Sequence, residues 1–190
     1  MPTATWSTRA NGLTLLRLLA APALVAAIYL QRPWLAAALF ALAIVTDLAD
    51  GWVARRYREA SPLGALIDHG ADALFVTTGS AALALHGELP VWLPVAIAFA
   101  FTQYVLDSRP GPVLRGSSLG RWNGIAYFVA VGTPIARDAL GLGWPPASFV
   151  RAFGWLLIAA TVVSVLDRLR HAGRATRLSA ASNSSHISDQ

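Results

Sequence analysis

Hydrophobic positions in this 190-residue chain gather into six long runs, at about 12–31, 33–57, 61–86, 90–107, 121–142 and 147–169. The segments between them read QRP, REASP, HGELP, DSRPGPVLRGSSLG and GLGWPP, where Pro and Gly cluster as helix punctuation. A helix needs about 20 apolar residues to cross roughly 30 Å of hydrocarbon, so the pattern predicts an all-α integral membrane protein with six transmembrane helices. The first run has no obvious small-residue cleavage site and is followed by five more, which makes it a retained span. After 169 the apolar pattern stops. HAGRATRLSAASNSSHISDQ is rich in Ser and Ala, and the sequence predicts a six-helix membrane domain over 1–169 and a disordered, basic, Ser-rich tail over 170–190.

Composition agrees with the pattern. Hydrophobic residues make up 55% of the chain and charged residues 13%, with mean hydropathy +0.52, whereas soluble domains carry about 25% charged residues. Cysteine is absent, which rules out disulfides and thiolate metal sites. The net charge of +5 sets fifteen arginines, with no lysine, against ten acidic residues, and the arginines lie mostly in the gaps or near the ends of the runs, where they anchor a chain to an anionic membrane surface. No nucleic-acid partner is expected. With both termini cytoplasmic, eleven arginines fall inside and three (Arg32, Arg137 and Arg151) outside, with Arg17 within the first span. This obeys the positive-inside rule and an even number of spans. The seven tryptophans read mostly as interfacial anchors or core.

One stretch breaks the apolar pattern: DLADGWVARRYREASPLGALIDHGAD, residues 47–72. PWLAAALFALAIVT is too short to span at 1.5 Å per residue, so the second helix must run on through Asp47, Asp50 and Arg55. Ser61-Pro62 is a good start for the third helix, with Ser as N-cap and Pro in the first turn. Asp47 and Asp50 are three residues apart and Asp68 and Asp72 four, so each pair shares a helical face. In an antiparallel hairpin the two pairs meet at one depth, roughly 10 Å in from the connecting segment. Gly51 and Gly64 thin the helix surfaces beside them. Four carboxylates at short range cannot all ionise uncompensated. Protonation, pairing with Arg55 and Arg56, or divalent metal would each relieve them. Oxygen donors without a His or Cys cluster suit Mg²⁺ or Mn²⁺ rather than zinc.

Written as Asp47-x2-Asp50-Gly51-x2-Ala54-Arg55-x8-Gly64-x3-Asp68-x3-Asp72, the stretch resembles the signature of the CDP-alcohol phosphatidyltransferase family at all eight fixed positions. The resemblance implies a metal-dependent transferase that moves a phosphatidyl group from CDP-diacylglycerol to a small polar alcohol and releases CMP. It implies two divalent ions, Mg²⁺ or Mn²⁺, held by Asp47, Asp50, Asp68 and Asp72, with Asp72 also the base for the acceptor hydroxyl. Gly51, Ala54, Arg55 and Gly64 would line the CDP site. It further implies an active site at the cytoplasmic ends of helices 2 and 3, a bacterial inner-membrane location and a homodimer.

Asn11-x2-Thr14-x2-Arg17 looks like the opening of bacterial phosphatidylglycerophosphate synthases and related cardiolipin synthases, which makes glycerol 3-phosphate the first acceptor to expect. Serine, an inositol phosphate, phosphatidylglycerol and diacylglycerol are alternatives within the same chemistry. His69-Gly70-Ala71-Asp72-Ala73 stands where those enzymes usually have Pro-Val-Ala-Asp-Lys. A phosphorylated acceptor needs basic residues near the metals, and Arg17, Arg109, Arg115 and Arg121 are the candidates. Arg17 lies within an apolar helix, where it must find an anion or snorkel. A cation or proton transporter would spread its acidic residues over several spans; here they are confined to one hairpin, and 90–106 and 139–166 have none.

Overall fold

The computed structural model describes the backbone of residues 9–57, 62–107 and 118–188, and the side chains of 12–49, 64, 66–105 and 122–167. These residues form six α-helices and no strand: α1 Arg9–Tyr29, α2 Pro33–Tyr57, α3 Pro62–Leu85, α4 Leu93–Asp107, α5 Ser118–Ala139 and α6 Ala147–Ser188. The all-helical class and the six helices therefore match the sequence pattern. Two of them contain stretches both long and apolar enough to cross a membrane, Gly12–Tyr29 and Ala147–Asp167, while the apolar parts of α2 and α4, Pro33–Ala49 and Leu93–Val105, are shorter. Beyond residue 169, α6 continues as helix to Ser188 through the residues that composition alone assigns to a disordered tail.

The packing centres on α1, which lies against both α2 and α3; α5 packs on α2, α3 and α6, and α4 on α3 and α6. One face of α1 (Thr14, Arg17, Ala20, Ala21, Leu24 and Ala27) is buried at helical spacing. Alanines make much of that stripe, and Ala36 and Ala43 face inward on α2. Small residues let helix backbones approach closely, the usual basis of helix association in lipid. Gly79 of α3 has Leu24 of α1 and Val131 of α5 so near that an added Cβ would lie 3.2 Å from each. Phe40, Phe75 and Phe128 then fill the space between α2, α3 and α5, with ring centroids 6.1–6.4 Å apart. Tyr127 of α5 and Thr161 of α6 share a buried hydrogen bond of 2.5 Å.

Three helices finish the same way at one end of the bundle. After α1, α3 and α5 the amides of Arg32, Glu88 and Leu142 donate to the carbonyls of Ala27, Leu83 and Arg137, and those of Gln31, Gly87 and Gly141 to Ile28, Ala84 and Asp138. This paired pattern is the Schellman motif, which needs a left-handed residue at its centre. Gly87 and Gly141 supply it with φ of 75° and 63°, and Gln31 does so at 51°. Arg137 locks the same end. Its guanidinium holds Glu88 with two nitrogens at 2.9 and 3.1 Å, Asp138 at 2.8 Å and the Pro145 carbonyl at 3.3 Å.

At Gly154 on α6, an added Cβ would lie 2.5 Å from the Pro90 ring. A proline ring cannot swing aside as a flexible side chain can. Gly154→Val is expected to destabilise the protein by about 1–3 kcal/mol through overpacking, read as a lowered unfolding temperature in detergent; an unchanged temperature would contradict this packing.

Candidate metal and phosphate site

The acidic hairpin and the first helix converge at the other end of the bundle. Asp47 lies in the C-terminal half of α2, Asp68 and Asp72 in the N-terminal half of α3, and Arg17 in the N-terminal half of α1. The chain runs in along α1, back along α2 and in again along α3, and α1 packs on both of the others, so these three halves meet around it. The spacing argument that set the carboxylates at one depth holds for the three whose side chains are described. One oxygen from each of Asp47, Asp68 and Asp72 falls within 4.8 Å of the others.

Arg17 sits among them. Its Nη1 donates to Asp68 Oδ1 at 2.9 Å and to Asp72 Oδ1 at 2.5 Å, and its Nη2 lies 3.7 Å from Asp47 Oδ1. The arginine side chain is wholly buried, while the carboxylates keep 44%, 27% and 24% exposure for Asp47, Asp68 and Asp72. The guanidinium thus forms the inner wall of the cluster and the carboxylates face outward. Charge-assisted bonds of this length are the strong class of hydrogen bond. Thr14, one turn before Arg17 on the same face, is also buried.

The sequence makes Arg17 a candidate for a phosphate that must either find an anion or snorkel; the structure gives it an anion partner in the aspartates themselves. Of the other positions, Gly64 stands in the first turn of α3, and Asp50, Gly51, Ala54 and Arg55 follow Asp47 along α2, with the side chains of these four outside the described residues. Arg121 belongs to the first turn of α5, its side chain likewise outside them, and Arg109 and Arg115 lie outside the described residues altogether. The sequence did not flag Asn123, which is buried on α5 beside the exposed Trp122. His69, which the sequence marks as a departure from the resembled motif, stacks its ring on Tyr104 of α4 with centroids 5.4 Å apart.

The donor chemistry fits a hard divalent ion. All three ligands are carboxylates, and one guanidinium cannot neutralise three of them. Oxygens bound to one Mg²⁺ at about 2.0–2.1 Å lie about 2.9 Å apart when adjacent and about 4.2 Å when opposite, so oxygens within 4.8 Å of one another draw inward to share an ion.

Beside the cluster, a groove of about 630 Å³ runs between α2 and α5. Its walls are apolar, with Phe40, Ile44, Leu48, Ile125 and Phe128 among them, and Asp47 also lines it. Gly132 of α5 sets its floor, because an added Cβ there would lie 2.6 Å from the Phe40 ring.

Residues 7–166 match the CDP-alcohol phosphatidyltransferase family, and the chain belongs to it. The chain is 35% identical over 132 residues to the CDP-diacylglycerol–glycerol-3-phosphate 3-phosphatidyltransferase of Cereibacter sphaeroides, covering 64% of this chain and 60% of that protein. It is 33% identical over 176 residues to a probable phosphatidylglycerophosphate synthase of Mycobacterium tuberculosis, covering 88% and 81%. It is 30% identical over 122 residues to a CMP-forming cardiolipin synthase of Streptomyces coelicolor, covering 62% and 55%. The chain thus spans less than two thirds of the first and third of these relatives.

If the cluster holds metal, Asp68→Asn removes one ligand oxygen and one partner of Arg17. Mn²⁺ affinity, followed by electron paramagnetic resonance, is expected to fall by at least about 10–100-fold, the range seen even for residues one shell further out. An unchanged affinity would exclude Asp68 from any metal site.

Proposed function

We propose that this chain is an integral-membrane phosphatidyltransferase that transfers the phosphatidyl group of CDP-diacylglycerol to glycerol 3-phosphate and releases CMP. The observation that carries the reading is the convergence of Asp47, Asp68 and Asp72 within 4.8 Å, on the two helices that bear the family's signature. Two relatives whose names specify that donor and acceptor, or its product, support the choice of substrates.

The membrane setting is supported by what the helices turn outward. Leu15, Leu19, Val45, Phe99, Val129 and Val163 are all at least 50% exposed. Such a surface would be unfavourable in water and is ordinary in lipid. Trp34, Trp92 and Trp144 are exposed at the end closed by the Schellman turns, and Trp122 near the other, as tryptophans are at the two membrane interfaces. In this reading all six helices span the inner membrane, both termini are cytoplasmic, and the acidic cluster faces the cytoplasm.

The groove supports a donor with acyl chains. From Asp47 back to Ala37 is ten residues of helix, about 15 Å, which equals one leaflet of a roughly 30 Å hydrocarbon core. A diacyl donor can keep one chain in the groove while its pyrophosphate lies at the carboxylates.

Chemically, an acceptor hydroxyl oxygen attacks the phosphorus that bears the diacylglycerol; the new P–O bond forms as the bond to CMP breaks, and CMP leaves. Asp72 takes the hydroxyl proton, a role open to a carboxylate within hydrogen-bond reach of the acceptor. Asp47, Asp50, Asp68 and Asp72 would hold two divalent ions, Mg²⁺ or Mn²⁺, which when bound supply charge neutralisation at the pyrophosphate. Gly51, Ala54, Arg55 and Gly64 would border the nucleotide, the small residues admitting it and the arginine meeting phosphate. Arg17, Arg109, Arg115 and Arg121 remain the candidates for an acceptor's phosphate. The second reading keeps the chemistry and makes phosphatidylglycerol the acceptor, on the likeness to the Streptomyces coelicolor cardiolipin synthase.

Purified protein given CDP-diacylglycerol, Mg²⁺ or Mn²⁺ and a panel of acceptors is expected to release CMP with glycerol 3-phosphate. Phosphatidylglycerol as the sole productive acceptor would select the second reading, and no CMP with any acceptor would overturn both. Asp72→Asn is expected to lower the rate by about 10²–10⁴-fold. Gly132→Leu is expected to raise KM for a long-chain donor about tenfold, the loss of roughly two buried methylenes, and to leave a short-chain, water-soluble donor unaffected. An equal effect on both donors would remove the groove from substrate binding.

A further inference from the structure

We infer that Arg17 is a built-in counter-cation, competing with the divalent ion for the same carboxylate oxygens and giving them up when the ion enters. The inference rests on the metal reading of the aspartates given above. The three residues that offer oxygens within 4.8 Å of one another are the three that Arg17 contacts. Asp68 Oδ1 and Asp72 Oδ1 both meet its Nη1, at 2.9 and 2.5 Å. A metal ion bonded to those oxygens would stand within a few ångströms of the guanidinium, where two cations repel strongly. The guanidinium has to withdraw from any oxygen that the ion takes.

Charge decides the exchange. One guanidinium brings a single positive charge to three carboxylates, and a divalent ion brings two to the same three residues. Arg17 is nevertheless suited to hold the place: it is wholly buried, donates from a fixed planar fork and comes from α1, so it ties the first helix to the acidic hairpin. Side chains on a helix lean towards its N-terminus. The N-terminal half of α1 lies at the cluster's end of the bundle, so a displaced guanidinium leans towards the ends of α2 and α3, where a substrate phosphate would be met. Metal entry would thereby release a cation for an anionic substrate. Arg17 is in this sense a positioning residue before it contacts any ligand.

The test compares wild type, Arg17→Met and Arg17→Lys, with Mn²⁺ alone as the probe, by paramagnetic resonance titration and by thermal unfolding in EDTA and in Mn²⁺. Arg17→Met, of similar length and uncharged, is expected to bind Mn²⁺ about tenfold tighter than wild type, the scale of one charge-assisted bond no longer displaced. It is also expected to unfold at lower temperature in EDTA and to recover most of that loss in Mn²⁺, a rescue that a purely structural arginine would not show. Arg17→Lys keeps the charge without the fork and is expected to bind Mn²⁺ more tightly than wild type and less tightly than Arg17→Met. Should Arg17→Met fail to fold, Arg17→Lys carries the comparison. Equal or weaker Mn²⁺ binding in the folded variants overturns the exchange and leaves the metal reading intact. Absence of Mn²⁺ binding in wild type and variants alike overturns the metal reading and the exchange with it.

Discussion

Carboxylates set into apolar helices must be matched by positive charge, and much of the molecule can be understood as meeting that condition. Asp47, Asp68 and Asp72 meet it through Arg17, whose guanidinium crosses from α1 to the hairpin formed by α2 and α3. For that contact the three helices must lie close together. The alanine stripe on α1, the inward alanines of α2 and Gly79 on α3 let the backbones approach. Removing one partner from such a buried pair leaves charge without compensation, and this costs more than the pair contributes as a whole.

The two ends of the bundle are built for different tasks. At one, three Schellman turns and the clamp of Arg137 on Glu88, Asp138 and Pro145 satisfy the helix carbonyls and join α3, α5 and the segment before α6. At the other, the carboxylates keep a quarter to nearly half of their surface while Arg17 backs them from inside. One end is thus fixed by hydrogen bonds and ion pairs, and the other presents accessible charge. The apolar groove between α2 and α5 extends that site sideways, towards where acyl chains would lie.

Much of this was legible in the sequence, for local reasons. Helix boundaries follow Pro, Gly and apolar runs, and those signals are read within a few residues; hence Pro33 opens α2 and Pro62 opens α3 as expected. The common depth of Asp47, Asp68 and Asp72 follows from helical pitch counted from one connecting segment. What Arg17 touches does not follow from pitch, because the rotation of α1 about its axis relative to the hairpin is set by packing between helices far apart in sequence. The groove escaped notice for the same reason, since it depends on how α5 is turned to place Gly132 against Phe40. His69 shows a third kind of limit. Its departure from the proline that the resemblance implies was visible, but its stacking on Tyr104 depends on where α4 falls.

In the proposed reading the carboxylate cluster is a divalent-ion site that its own arginine partly satisfies. Anomalous scattering from crystals grown with Mn²⁺ and CDP-diacylglycerol tests this most directly. Anomalous peaks are expected among Asp47, Asp68 and Asp72, with the Arg17 guanidinium withdrawn from Asp68 and Asp72. Peaks confined to other parts of the molecule, with Arg17 still bonded to both aspartates, would contradict it.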